Sequence, residues 1–377
     1  MLEQKTLDWL RLALIPEIGP VRGRRLLERF AEPGRILAAP AEEIASVVGG
    51  SVAQRIDRQR KEIKLNEQLR LVEEHRVKIL AQDDPEYPAN LKNIFDPPLV
   101  LFVRGQILPQ DYFSIAVVGT RLASFYGRTM ACKLSSQLAE KGFTIVSGAA
   151  RGIDTFSHQA ALGAKGRSIA VLGCGLDIAY PPENKKLIEE IAGKGALISE
   201  FPLSTRPARQ NFPMRNRIIS GLSLGVLVIE APQKSGALIT VTHAAEQGRE
   251  VFSVPGKADS FTSKGTNQLL RDGAKLVENA DDIIEELEPL LKAKIKELKP
   301  NQPEPEKKQQ ILSQLQLSET ESKLYGLLSS TALDFDNILV KSQLPVSVAQ
   351  ASLTTLELKR LVKQLPGKVF TKINGSH

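Results

Sequence analysis

The chain has 377 residues, more than twice the commonest domain size, and its 42% apolar and 25% charged content suits a sizeable core, which excludes global disorder and points to two or three domains. The longest apolar runs, such as Ile169 to Leu172 and Val226 to Ile229, fall far short of the roughly 20 residues that cross a bilayer, and the start lacks the basic flank and apolar stretch of a signal peptide, so the sequence predicts a cytoplasmic protein with no membrane contact. Lys and Arg number 50 against 43 Asp and Glu, a net +7 that permits a polyanion partner without demanding one.

In chain order, residues 1–75 read as a helical domain: Leu7, Leu10 and Leu14, and later Ile56, Ile63 and Leu69, recur at helical spacings. The turn Pro16-Glu17-Ile18-Gly19-Pro20, with a degenerate copy at Val48-Gly49-Gly50, resembles a helix-hairpin-helix; an ordinary helical hairpin with a glycine turn fits the same residues. With 13 basic and 12 acidic residues this end is no basic module.

Residues 76–291 change to short apolar runs separated by helix-length amphipathic pieces, an α/β pattern. Strands are predicted at Ile115–Val118, Phe143–Val146, Ile169–Leu172, Ala196–Ser199, Val226–Ile229 and Val251–Val254. Apolar throughout, several of these suit a parallel sheet covered on both faces. The expected fold is therefore a Rossmann-like, doubly wound core, with ligands beyond the carboxyl ends of its strands. Cys132 and Cys174, the only cysteines, have no metal or disulfide spacing and read as buried small residues.

Residues 292–310, rich in Pro, Lys and Glu, read as a linker. Residues 311–377 follow with three predicted helices, Glu319–Leu328, Asp336–Lys341 and Val346–Glu357, and a hairpin, the pattern of a winged helix.

Three strand ends open into glycine turns: Gly119-Thr120-Arg121, Gly148 to Asp154, and Gly173 to Asp177. Such turns let backbone N–H groups approach phosphate. None completes G-x-G-x-x-G and there is no G-x-x-x-x-G-K-[ST], so a nicotinamide, flavin or ATP cofactor is disfavoured. The segment 206–217 places Arg206, Arg209, Arg215 and Arg217 around Phe212, the mixture of cations and a ring found in single-strand binding sites; a surface loop with paired arginines and a buried Phe212 is the other reading. The Ser235-Gly236 turn offers either an anion contact or a plain helix start. Asp154 and Asp177, beside glycine turns, are read as holding loop shape rather than as bases, and His75, His158, His243 and His377 form no triad or metal pattern.

Together Gly119-Thr-Arg121, Ser147 to Asp154, Gly173 to Asp177 with Tyr180-Pro181, Phe212 to Ile219, and Ser235 to Thr240 through Val254-Pro-Gly256 resemble the DprA/Smf family of DNA-processing proteins, in that family's order over about 140 residues. The resemblance implies a non-enzymatic protein without cofactor that binds single-stranded DNA and loads the RecA recombinase on it during natural transformation, displacing or bypassing single-strand binding protein, and that acts as a homodimer. It implies a phosphate on Arg121 of the Gly119-Thr120-Arg121 turn, another on Arg209, a base on Phe212, and a pocket completed by Arg215, Asn216, Arg217, Ser235 and Gly236. A lysine usual in the family is replaced by Pro182, for which Lys185 or Lys186 could substitute. Asn267, Leu269 and Leu270 match the family's dimer and partner surface.

Two rival readings differ in class. A nucleotide-cleaving phosphoribohydrolase would need a P-G-G-x-G-T-x-x-E loop, and here Ser235 to Thr240 lacks two of its glycines and the glutamate. A transcription factor would read DNA with Val346–Glu357, which holds no Lys or Arg.

Overall fold

A computed structural model describes residues 3–298, 318–328, 333–359, 361–365 and 367–372 of the chain. It divides into two compact units, residues 1–292 and 293–377. Most of the linker expected at 292–310 lies outside the described residues, as does His377.

The first unit opens with six helices, α1 (Gln4–Ala13), α2 (Pro20–Phe30), α3 (Pro33–Ala38), α4 (Ala41–Val48), α5 (Gly50–Lys61) and α6 (Leu65–Glu74). Their apolar stripes, including Leu10, Leu26, Ile44 and Ile56, bury into one core with Ile79, Phe102 and Leu197, so the helical segment packs directly on the edge of the sheet that follows.

That sheet has nine strands: β1 (Lys78–Ala81), β2 (Val100–Gly105), β3 (Ser114–Val118), β4 (Thr144–Ser147), β5 (Ser168–Val171), β6 (Ala196–Ser199), β7 (Gly225–Val228), β8 (Glu250–Ser253) and β9 (Lys275–Leu276). They lie in the order β1-β2-β6-β5-β4-β3-β7-β8-β9. From β6 to β9 every pairing is parallel, and β1 and β2 add an antiparallel edge. The connecting helices are α7 (Ala89–Lys92), α8 (Phe125–Glu140), α9 (Ile153–Gly163), α10 (Lys185–Lys194), α11 (Asn211–Leu222), α12 (Ala237–Glu246), α13 (Lys264–Arg271) and α14 (Ala280–Leu298).

Both faces of the sheet are covered, which explains why its strands are apolar throughout. Alternation assigns Ile115, Val117, Ile145 and Leu227 to the face under α8 and α9, and Ala116, Val118, Val146 and Val228 to the face under α11 and α12. The chain winds from β3 outward to β6, then returns to place β7 on the other side of β3. The winding therefore reverses between β3 and β7, the point at which an open α/β sheet leaves a crevice at its carboxyl edge.

The second unit has a core of its own. Leu324 of α15 (Glu319–Leu327), Ile338 of α16 (Phe335–Ser342) and Leu353 and Leu356 of α17 (Val346–Leu358) pack with Val362 and Phe370. These last two belong to β11 (Val362–Leu365) and β12 (Val369–Lys372), which with β10 (Leu333–Asp334) form an antiparallel sheet in the order β10-β12-β11. This is the winged helix anticipated from the sequence. Helix α15 starts with a capping box between Ser318 and Glu321, and α16 with Asp334 accepting from the Asn337 N–H.

Among the described residues no helix is long and apolar enough to cross a membrane.

Candidate nucleic-acid interface

An open cleft of about 720 Å³ lies at the β3/β7 reversal. Its lining comes from the turn after β3 (Gly119 to Leu122), the turn after β7 (Pro232 to Gly236), Arg209, Tyr180 and one face of α11. Helical phase selects that face: Phe212, Arg215, Asn216 and Ile219 stand at i, i+3, i+4 and i+7 and all reach the cleft.

At its centre the Phe212 ring is stacked on Tyr180, with centroids 5.6 Å apart and planes 29° from parallel. The Arg121 guanidinium lies 5.4 Å from the centroid of the same ring. Arg121, Arg209 and Lys234 are exposed, and none takes part in an ion pair among the described residues. Among the described residues the only carboxylate in the lining is Asp154, and it is buried and spent: its Oδ2 accepts from the N–H groups of Gly148 (3.1 Å) and Ala150 (3.2 Å). Burial pushes its carboxyl up, against the pull of Arg215 and of these donors. The cleft thus presents fixed positive charge and aromatic faces with no exposed carboxylate to oppose an anion.

Arg215 is a buried cation beneath this surface, 4% exposed. It donates to the carbonyls of Gly148 (2.7 Å) and Val171, tying α11 to the ends of β4 and β5. Burial lowers its pKa to about 10, with Asp154 opposing, so the group stays charged at neutral pH. Asn216 donates to the Gly236 carbonyl (3.3 Å) and so holds the turn after β7 against α11, while Ser235 Oγ accepts from the Ala237 N–H (3.3 Å). Thr120 is buried, its N–H on the Glu230 carbonyl (2.7 Å) and its Oγ1 accepting from Leu122 (3.2 Å), so it shapes the turn that presents Arg121.

The glycines at the strand ends have a steric role that the sequence does not show. A methyl group at Gly148 would come within 2.5 Å of the Arg215 guanidinium, one at Gly173 within 2.9 Å of the Phe212 ring, and one at Gly119 within 2.6 Å of Ile153. These three make room for side chains that build the cleft. Gly236 alone of the cleft glycines faces open space.

Several expected residues stand elsewhere. Arg217 is turned away from the cleft and is 4% exposed; it pairs with Glu200 and with Asp96 (3.2 Å), and its expected place in the pocket wall is corrected by this buried ion pair. Lys185 lines a separate cleft with Arg76 and Arg104, and Lys186 is exposed on α10 outside the Phe212 cleft. Besides Arg121, an exposed cation near Tyr180 is Arg151, paired with Glu183. Asn267 exchanges two hydrogen bonds with the Gly256 backbone (3.1 and 3.0 Å), and Leu269 and Leu270 are half-buried. In the helical segment Arg22 and Arg55 both converge on Glu17, at 2.8 and 2.7 Å, so these two cations beside the Gly19 turn share one carboxylate.

The doubly wound sheet, the cationic crevice at its reversal point and the winged-helix unit define a Rossmann-like protein with a positively charged cleft. The chain belongs to the DNA recombination-mediator protein A family, whose model matches residues 78–288, and the model of the DprA winged helix domain matches residues 299–368. Protein Smf of Synechocystis is 39% identical over 288 residues, 74% of this chain and 72% of that protein. The DNA processing protein DprA of Bacillus subtilis is 44% identical over 225 residues, 59% of this chain and 76% of its own length. The X-ray structure of Streptococcus pneumoniae DprA superposes with a TM-score of 0.67 at 34% identity, over 76% of this chain and 99% of that one. The Helicobacter pylori protein, for which a single-stranded DNA binding mode is described, gives a TM-score of 0.51 at 31% identity, over 56% of this chain and 95% of that one.

Proposed function

We propose that this protein binds single-stranded DNA in the cleft at the β3/β7 reversal and delivers the strand to a recombinase, acting without catalysis. The observation that carries the reading is the Arg121–Phe212–Tyr180 stack, a ring with a cation on it in a crevice whose other exposed charges, Arg209 and Lys234, are also positive. A flat ring at this place accepts an unpaired base, and the guanidinium beside it accepts the adjoining phosphate. A duplex, whose bases are already stacked and paired, has none to offer.

In this reading residues 1–75 are an auxiliary helical module, 76–291 the DNA-binding body, 292–310 a linker, and 311–377 a winged helix for protein contacts. The RecA recombinase is the partner that family membership suggests, and a homodimer through the segment around Asn267, Leu269 and Leu270 is the suggested assembly. Participation in natural transformation belongs to the same proposal.

Oligo-dT binding by the Phe212→Ala variant tests the base contact. Affinity is expected to fall by about 1–3 kcal/mol per stacked base, with the dependence on salt unchanged, because a ring releases no counterions. Wild-type affinity in this variant, or a flattened salt slope, contradicts the role given to Phe212.

A further inference from the structure

The rim of the cleft carries two side chains that the binding reading leaves unused. Leu122 is 85% exposed and Phe125 is 86% exposed. An apolar pair this bare, three residues apart at the start of a helix, has no part in the core. Leu122 also lines the cleft that holds Phe212.

The pair is held by a built turn. Glu230, only 2% exposed, accepts through Oε2 from the Ser124 N–H (2.9 Å) and through Oε1 from the Thr262 hydroxyl (2.6 Å), tying the turn to the segment after β8. Ser124 caps α8 by accepting from Gly127 (3.0 Å), and Gly127 is needed because any side chain there would collide with the Glu230 carboxylate. Tyr126 adds a bond from its hydroxyl to the Pro255 carbonyl (2.8 Å). Leu122 and Phe125 are thus presented from a fixed backbone.

Charge identifies the occupant. Arg121 precedes the pair, and Arg128, exposed and 5.0 Å from the Phe156 ring centroid, stands one turn after Phe125 on the same face of α8. From Gly119 to Ala139 the sequence contains no Asp or Glu, and the N-terminal end of the 16-residue α8 adds partial positive charge. An apolar surface bracketed by arginines suits a strand with anionic linkages and flat bases.

We propose that Leu122 and Phe125 form a second base platform, which extends the single-strand path from the Phe212 cleft across Arg121 onto the first turn of α8. This inference rests on the reading of the cleft as a single-strand site. Both residues are exposed, so the Leu122→Ala/Phe125→Ala protein keeps its core.

The test compares the full-length wild type and this double variant with a short oligo-dT of about four nucleotides and a long one of about twenty. The long strand is expected to bind the double variant roughly 5- to 100-fold more weakly with the salt slope unchanged, while Phe125→Ala alone, at a residue outside the cleft, leaves the short strand unaffected. A 5-iodouracil-substituted long strand should photocrosslink to Phe125 of the wild type as well as to Phe212. Equal affinity of both proteins for the long strand, with no adduct on Phe125, overturns the platform. So does a double variant that loses self-association in light scattering while keeping wild-type DNA affinity, since the pair is then a contact between copies. Failure of the wild type to bind either strand overturns the cleft reading itself, and the platform with it.

Discussion

At the scale of single residues, Arg215 and Arg217 show how two arginines on one helix acquire different work. Arg215 points under the cleft, where carbonyls at the ends of β4 and β5 take its donors. Arg217 sits on the opposite side of α11, where Glu200 and Asp96 neutralise it. Glu200 has a side chain only 9% exposed, and one of its oxygens already lacks a partner among the described residues. Arg217→Ala is therefore expected to cost about 3–5 kcal/mol in urea unfolding, because it strands a buried carboxylate. The salt dependence of DNA binding should stay as in the wild type, whereas a reduced slope would return Arg217 to the interface. The residue types of segment 206–217 were legible in the sequence as a cation-and-ring cluster. The phase of α11 was not, because it depends on the helix starting at Asn211, inside a stretch that reads equally well as a loop.

His158 gives the pH dependence at this scale. Ser168 donates its hydroxyl proton to the Ile145 carbonyl (3.0 Å), so its 2.6 Å contact with His158 Nδ1 requires the ring to donate from that nitrogen. Nε2 is then a buried acceptor without a partner among the described residues, and burial lowers the pKa from 6.5 to about 3, helped by Arg215. A depressed folded-state pKa stabilises the protein above 6.5, and that contribution is lost as pH falls from 6.5 toward 3. Between pH 7 and pH 5 the advantage of the wild type over His158→Gln should shrink by about 2 kcal/mol in urea unfolding. A difference that is constant with pH contradicts a buried neutral ring.

At the scale of elements, the cleft is assembled from strand ends whose glycines admit side chains. Gly148→Ala drives a methyl group into the Arg215 guanidinium and is expected to cost about 1–3 kcal/mol in unfolding. Gly236→Ala meets nothing within 4 Å at a helical backbone angle and should leave stability within about 0.5 kcal/mol of the wild type. Equal effects at the two positions would contradict the distinction drawn between them. The central strands were legible because burial on both faces makes them apolar without alternation. The antiparallel pair β1–β2 was harder to read: no full crossover helix joins it, only residues 82–99 with the single turn of α7, so the strand–helix–strand rhythm is missing there. Strand β9 has two residues, both exposed, and leaves no pattern at all. Tyr180 and Lys234 were visible as residue types, yet only the folded cleft shows one stacked on Phe212 and the other on the rim.

At the scale of the whole molecule, a net +7 over 377 residues is too dilute to attract a polyanion by itself. What concentrates charge is the reversal of the sheet, which gathers Arg121, Arg209 and Lys234 in one cleft whose single lining carboxylate, Asp154, is buried. In the helical segment Arg22 and Arg55 beside the first glycine turn are held on Glu17, and α17 of the winged helix contributes no Lys or Arg. Binding through such a cleft should prefer single strands, show little base preference and weaken steeply with salt.

The measurement that bears most directly on this account is fluorescence anisotropy of a labelled oligo-dT and of a matched duplex over a salt series, for the wild type and Arg121→Ala. The account predicts salt-sensitive binding of the single strand in preference to the duplex, with Arg121→Ala weakening it and lowering the slope by roughly 0.7 for the phosphate lost. Duplex binding as strong as single-strand binding, or an Arg121→Ala protein with the affinity and slope of the wild type, would contradict it.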